Sequence, residues 1–295
     1  MYETHVTQAG IARLRKALPQ LKVRWFTTAS ETHRQALARL VRLGAEPGPY
    51  SRDAQSTGAY SVAFHSDSRD SRPAGGYSIS FHSDWKGTSD EFLLLKQIAN
   101  LRGLSLGPSN LSPDDIKGFA DLPELEALAF WYLPLGDAHW SQLARFSGLK
   151  SLTIREKSIT DAPLEHLSSL VDLEELDLKG TQITGAGIVH LSNLRRLASL
   201  DLTGTQLTDA NLKHLAPLTD LEELYLSNTP ITGAGFAHLA EMHRLETLDL
   251  TGTQLTDRSL AHLKRLTKLK GPRLAGTQIT DVGFVHLKEH RELGA

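Results

Sequence analysis

Cysteine is absent from the 295 residues. Disulfides, thiolate metal sites and a cysteine nucleophile are excluded with it, and the commonest argument for a secreted protein goes as well. Long apolar runs are also missing. No stretch approaches the about 20 consecutive apolar residues that a membrane span needs. Arg13, Arg15 and Lys16 have no apolar segment behind them, so the start does not read as a signal peptide. A soluble, cytoplasmic protein with no membrane partner is the expectation. The short motifs of catalysis are lacking too: no G-x-S-x-G elbow, Walker A loop, dinucleotide fingerprint or H-E-x-x-H. Asp and Glu are numerous but are spaced by a repeat, not paired for acid–base work. The sequence predicts no enzyme and no cofactor.

Charge is nearly balanced overall, at −2, but not evenly spread. Residues 1–50 carry eight Lys/Arg against three Asp/Glu, which leaves −7 for the remainder. An acidic bulk argues against nucleic acid as a partner, because phosphate neutralisation needs clustered cations. The basic start reads as a solvated helix face.

What the chain does have is a period. Leu101, Leu125, Leu149, Leu173, Leu197, Leu221, Leu245, Leu269 and Leu293 recur every 24 residues. Within the units the pattern is L-x-x-L-x-L-x-x-T-x-I/L, as in Leu173, Leu176, Leu178, Thr181 and Ile183, with Ser109, Leu133 and Lys157 at the Thr place in the three early units. The Leu-x-Leu pair alternates as a short strand does. A Thr at 160, 184, 208, 232, 256 and 280 then stands where a helix N-cap belongs, and Ser112 followed by Pro113 occupies the same place in an early unit. Apolar residues three apart follow, such as Ile188, Leu191 and Leu194, forming the buried stripe of a short helix. One unit cannot bury both faces alone, so units must stack. A longer period overlies the first. DLTGTQLTD occurs at 201–209 and 249–257, and ITGAG at 183–187 and 231–235, each pair 48 residues apart.

This pattern resembles the leucine-rich-repeat family, with a 24-residue unit like those abundant in some bacterial proteins. The resemblance implies an α/β solenoid: a right-handed horseshoe with a parallel concave sheet, short convex helices and ligands docked on the concave strands. Thr181, Thr205, Thr229, Thr253 and Thr277 stand where the family usually has Asn or Cys, and their hydroxyls are expected to bond backbone in the neighbouring coil. Residues 91–295 form the array of about eight units, and residues 1–90 a half-repeat, helix and β cap. In that cap Val6–Leu21 matches the second half of a repeat, 31–43 reads as a helix, and Pro47-Gly48-Pro49 reads as a break. Tyr60–Asp67 and Tyr77–Asp84 read as strands. No matching cap follows Leu293, so edge-to-edge self-association through the C-terminal side is an expectation.

Three groups of residues are candidates for function. His166, His190, His214, His238, His262 and His286 stand 24 apart, beside the core Leu of each unit. A column without partnering carboxylates is poor metal geometry and reads as a by-product of duplication. His65-Ser66-Asp67 and His82-Ser83-Asp84 could gather two imidazoles and two carboxylates only if their strands stacked in parallel, so a metal site is not expected there. The third group is the strand column facing the concave side: Ser105, Ala129, Thr153, Asp177, Asp201, Tyr225, Asp249 and Arg273. Trp131, Tyr132 and Arg155 flank it, with Glu175, Glu223, Lys179, Glu156 and Asn228. Adjacent Asp177 and Asp201 cost stability unless a cation answers them, and aromatics there are of the type that anchors protein interfaces. Trp131, Tyr132, Arg155, Asp177, Asp201, Tyr225, Asp249 and Arg273 are the expected partner-binding residues. The expected partner is another protein, with a basic surface. The alternative is a substrate-recognition or regulatory subunit of a ubiquitin-ligase-like or effector complex, which needs an adaptor-binding helix, and 31–43 is the one to hand.

Overall fold

A computed structural model describes residues 31–49, 77–81 and 88–287. The half-repeat at Val6–Leu21, the string Tyr60–Asp67, both His-Ser-Asp triplets (65–67 and 82–84) and Leu293 lie outside the described residues.

The chain opens on helix α1 (Glu31–Arg42) and strands β1 (Ala45–Pro49) and β2 (Tyr77–Phe81). Two short helical turns at Ser89–Phe92 and Leu93–Gln97 lead to β3 (Leu101–Leu106), helix α2 (Pro113–Ala120), β4 (Ala127–Trp131), helix α3 (Asp137–Leu143) and β5 (Ser151–Arg155). The strands β6 (Glu175–Asp177), β7 (Ser199–Asp201), β8 (Glu223–Tyr225) and β9 (Thr247–Asp249) follow, alternating with 3₁₀ turns. All nine pair in chain order in one sheet. β2 to β9 run parallel, and β1 alone is antiparallel, on β2. The 24-residue period is thus one turn of an α/β solenoid, since Ser105, Ala129, Thr153, Asp177, Asp201, Tyr225 and Asp249 are successive register partners.

The leucines fill the interior. Leu176, Leu178, Ile183, Ile188, Leu191, Leu194 and Leu197 of one coil are each at most 2% exposed. Burying a side chain of this size stabilises by about 1.5–3 kcal/mol, so each coil is held by the core it shares with its neighbours.

Three local readings needed correction. Pro47-Gly48-Pro49 is not a break but part of edge strand β1. An edge position tolerates proline because one side of the ladder needs no N–H. The ladder threonines bond inside their own coil: Thr181, Thr205, Thr229, Thr253 and Thr277 donate to the carbonyls of Leu178, Leu202, Leu226, Leu250 and Leu274 at 2.6–2.7 Å. Each of these hydroxyls ties off the turn after its own strand. The convex elements are α-helical only in the early units. From Ala162–Leu167 onward they are 3₁₀ segments of four to nine residues, more tightly wound than an α-helix.

Ser112 does cap α2, in a reciprocal box with Asp115 and Pro113 behind it. Thr208 and Thr256 also stand at N-caps, but three of the six threonines do something else. Thr184, Thr232 and Thr280 donate their hydroxyls to Asp161, Asp209 and Asp257 of the preceding coil. Asp209 also accepts the backbone N–H groups of Thr232, Gly233 and Gly235 at 2.9–3.0 Å. At the Asp161 and Asp209 clamps the coils approach so closely that a Cβ on Gly187 or Gly235 would lie 2.7 or 2.4 Å from the carbonyl oxygen of Asp161 or Asp209. Donor coils and glycine coils alternate, which accounts for the 48-residue period.

Candidate functional site

The strand face holds an open trough of about 590 Å³, lined from Trp131 to Arg273. Five carboxylates (Glu175, Asp177, Asp201, Glu223, Asp249) and three cations (Arg155, Lys179, Arg273) line it. Of the eight residues expected at a partner site, seven are in this lining. Tyr132 is not. It stands just past β4 in a left-handed turn (φ 54°), half exposed, its backbone N–H given to the Arg155 carbonyl. Nor is the column open throughout. Ser105, Ala129 and Thr153 are buried, and access begins at Asp177, with Trp131 and Arg155 as one wall.

That wall is a built arrangement. The Trp131 indole N–H donates to Ser105 Oγ at 3.0 Å. The Arg155 guanidinium carbon lies 4.9 Å from the Trp131 ring centroid. Arg155 Nε donates to Asp177 Oδ2 at 2.9 Å, and Nη2 reaches the same oxygen. Burial works against the Arg155 charge, but hydrogen bonding and attraction to Asp177 outweigh it and raise the guanidinium pKa. Sequence order hides this stack, because its three members sit on three strands and Arg155 is off the column.

The far end is paired as well. Arg273 lies 3.5 Å from Asp249. Burial would raise the Asp249 pKa, but donors from Thr251 and Ser227, with Arg273, hold it below the ordinary value. Between the two ends stands Asp201. Among the described residues no basic group lies within ion-pair distance of it; its donors come from Thr203, at 2.8 Å from the backbone N–H. Burial first, and the charge of Asp177 second, push its pKa up. On the next strand, the Tyr225 hydroxyl donates to Glu223 Oε2 at 3.0 Å, and Ser199 donates to the same oxygen at 3.1 Å. Burial and the Glu223 carboxylate raise the phenol pKa.

The six histidines occupy the convex turns, half-buried at 166, 190 and 214 and exposed at 238, 262 and 286. Among the described residues no three His, Asp or Glu side chains converge as a metal site, and no helix is long and apolar enough to cross a membrane.

The family model described as a leucine-rich repeat matches residues 171–192. Internalin C2 of Listeria monocytogenes is similar in structure, at 24% identity and a TM-score of 0.50, over 65% of this chain and 86% of that one. A leucine-rich-repeat protein of Leptospira interrogans is also similar, at 24% identity and a TM-score of 0.53. That match covers 66% of this chain and 49% of the Leptospira protein, about half its length. No curated protein matches the sequence. The 24-residue period, the coil-by-coil register of the sheet and these likenesses together give the chain the fold of a leucine-rich-repeat solenoid.

Proposed function

We propose that this solenoid is a non-enzymatic, cytoplasmic binding module that holds a protein partner with a basic surface in the strand-face trough. The observation that carries the reading is the lining itself. It combines two interface aromatics, Trp131 and Tyr225, with an excess of carboxylates, of which Asp201 and Glu223 have no ion-pair partner among the described residues. An uncompensated, half-buried carboxylate is a place where a partner's cation is stabilising. Capture from a cell extract on the immobilised chain, repeated with Ala at Trp131, Asp201 and Tyr225, tests it. Unchanged affinity of the captured protein for the variants would remove the assignment.

The alternative, a recognition subunit docked through the helix at 31–43, would have only the exposed face of α1 with Thr32, Arg39 and Arg42 to dock with. Ala36, Leu37 and Leu40 of α1 are at most 2% exposed and belong to the core. The same packing supports residues 1–90 as the N-terminal cap: α1 covers the interior and β1 closes the sheet edge. At the other end, Phe284 is 49% exposed, although Ile188, Phe236 and Leu260 at its position in earlier coils are fully buried. Self-association through that coil is the corresponding proposal, and light scattering that shows one monomeric species at every concentration would contradict it.

A further inference from the structure

The trough contains one filled seat for a guanidinium and, beginning on the next strand, the parts of a second. In the filled seat an aromatic face, an arginine and a carboxylate occupy the consecutive strands β4, β5 and β6: Trp131, Arg155 and Asp177. A planar guanidinium suits this arrangement because it can stack on a ring while its N–H fork addresses a carboxylate. Beyond it, Asp201 on β7 is the register partner of Tyr225 on β8. The aromatic and the carboxylate are both present there, but among the described residues no arginine is paired with Asp201.

Three observations mark this second place as built for a cation. The other aspartates of the column have their own cations, Arg155 on Asp177 of the neighbouring strand and Arg273 on Asp249 two strands away, whereas Asp201 has none within ion-pair distance among the described residues. Lys179 acts on it only through space. The Tyr225 ring is fixed in direction, because its hydroxyl is committed to Glu223, which Ser199 also holds. Glu223 itself lines the same trough and adds a second carboxylate beside the ring.

We propose that Asp201, with Tyr225 and Glu223 beside it, seats one arginine side chain of a protein partner, in the manner in which Asp177 and Trp131 seat Arg155. The inference rests on the trough being the partner face, and it names the group that the partner contributes there. Arginine is favoured over lysine because a compact ammonium offers no plane to lie on Tyr225.

The test is a titration of the full-length protein, labelled with carbon-13 at its aspartate carboxyls, with N-acetyl-arginine methylamide. The citrulline and lysine counterparts serve as neutral and point-charge comparisons. The expected result is a saturable shift of the Asp201 resonance with the arginine compound and none with citrulline. Lysine should bind several-fold more weakly than arginine. D201N should abolish the binding, and Y225L should weaken it several-fold. R155A supplies the internal standard, because it vacates the Trp131–Asp177 seat and should add a second arginine site reported at Asp177. The proposal is overturned if citrulline matches arginine, if D201N binds as the parent does, or if R155A gains its site while Asp201 never responds. Partner capture separates this inference from the one beneath it. A captured protein lost with W131A or Y225A but indifferent to D201N leaves the trough standing and removes the arginine seat. Arginine bound at Asp201 with a captured protein indifferent to every trough variant upholds the seat and removes the trough as partner face.

Discussion

Replacing Asp209 by Ala tests the physical basis of the two-coil period. The carboxylate accepts four hydrogen bonds from the following coil: the Thr232 hydroxyl and the N–H groups of Thr232, Gly233 and Gly235, all at 2.9–3.0 Å. Gly233 and Gly235 are buried, so their N–H groups gain no water when the carboxylate is removed. Losing a cap of this kind costs about 0.5–2 kcal/mol, and stranding a buried donor about 1–3 kcal/mol. The contributions overlap, and D209A should cost about 2–3 kcal/mol. For a chain of this size that lowers Tm by roughly 6 °C, at about 2–4 °C per kcal/mol. D209N keeps one acceptor oxygen and should cost about half as much. The native Asp209 pKa is depressed: burial opposes this, but donors from Gly235, Thr232 and Gly233 outweigh it. Its contribution is therefore complete above the unfolded value of about 3.9 and is lost as pH falls through the lower native value. The gap in Tm between parent and D209A should be constant near neutrality and close in acid. Hydrogen exchange at the Gly233 and Gly235 amides gives the local readout and should accelerate in D209A. A gap under about 0.5 kcal/mol, the scatter of ordinary surface substitutions, or unchanged exchange at both amides would refute the clamp.

Other outcomes follow from the same coordinates. Gly235→Ala places a Cβ 2.4 Å from the Asp209 carbonyl oxygen and should cost at least about 1–3 kcal/mol as overpacking between backbones. Gly118→Ala in α2 meets nothing within 4 Å and should stabilise by about 0.5–1 kcal/mol; calorimetry of the pair decides whether contact, not glycine content, sets the sign. Thr205→Val deletes a hydroxyl that is fully buried and donates to the Leu202 carbonyl at 2.7 Å. Denaturant titration should show a loss of about 1 kcal/mol. Trp140→Ala empties the largest fully buried side-chain site and strands the Leu135 carbonyl, for about 3–5 kcal/mol by the same measurement.

The array could be read from the sequence because its period is covalent. Twenty-four residues make one coil, so the residue two before Lys179 must neighbour the residue two before Thr203, and Asp177 and Asp201 do pair in register. The core followed from the same arithmetic, with Leu173, Leu197 and Leu221 all fully buried. Contacts that depend on the direction a side chain takes were less legible. The 48-residue echo was visible as repeated letters, but its cause was not. Asp161, Asp209 and Asp257 sit where a first-turn acid is ordinary, and only the coil spacing aims them at the next unit. Arg155 answers Asp177 from outside the column, in a stack with Trp131 that no spacing announces. Ser199, Thr203, Ser227 and Thr251 line the trough although nothing in their type marks them. Tyr132 was drawn in by its aromatic character, yet its left-handed backbone turns it out of the lining.

The central claim is that the trough is the surface a partner covers. Carbodiimide labelling of carboxylates, on the chain alone and in complex with its captured protein, tests it most directly. The trough reading predicts strong protection of Asp201, Glu223 and Asp249 with unchanged labelling of Glu165 and Glu241 on the convex side. Protection of Glu165 and Glu241 with Asp201 and Glu223 still labelled would contradict it.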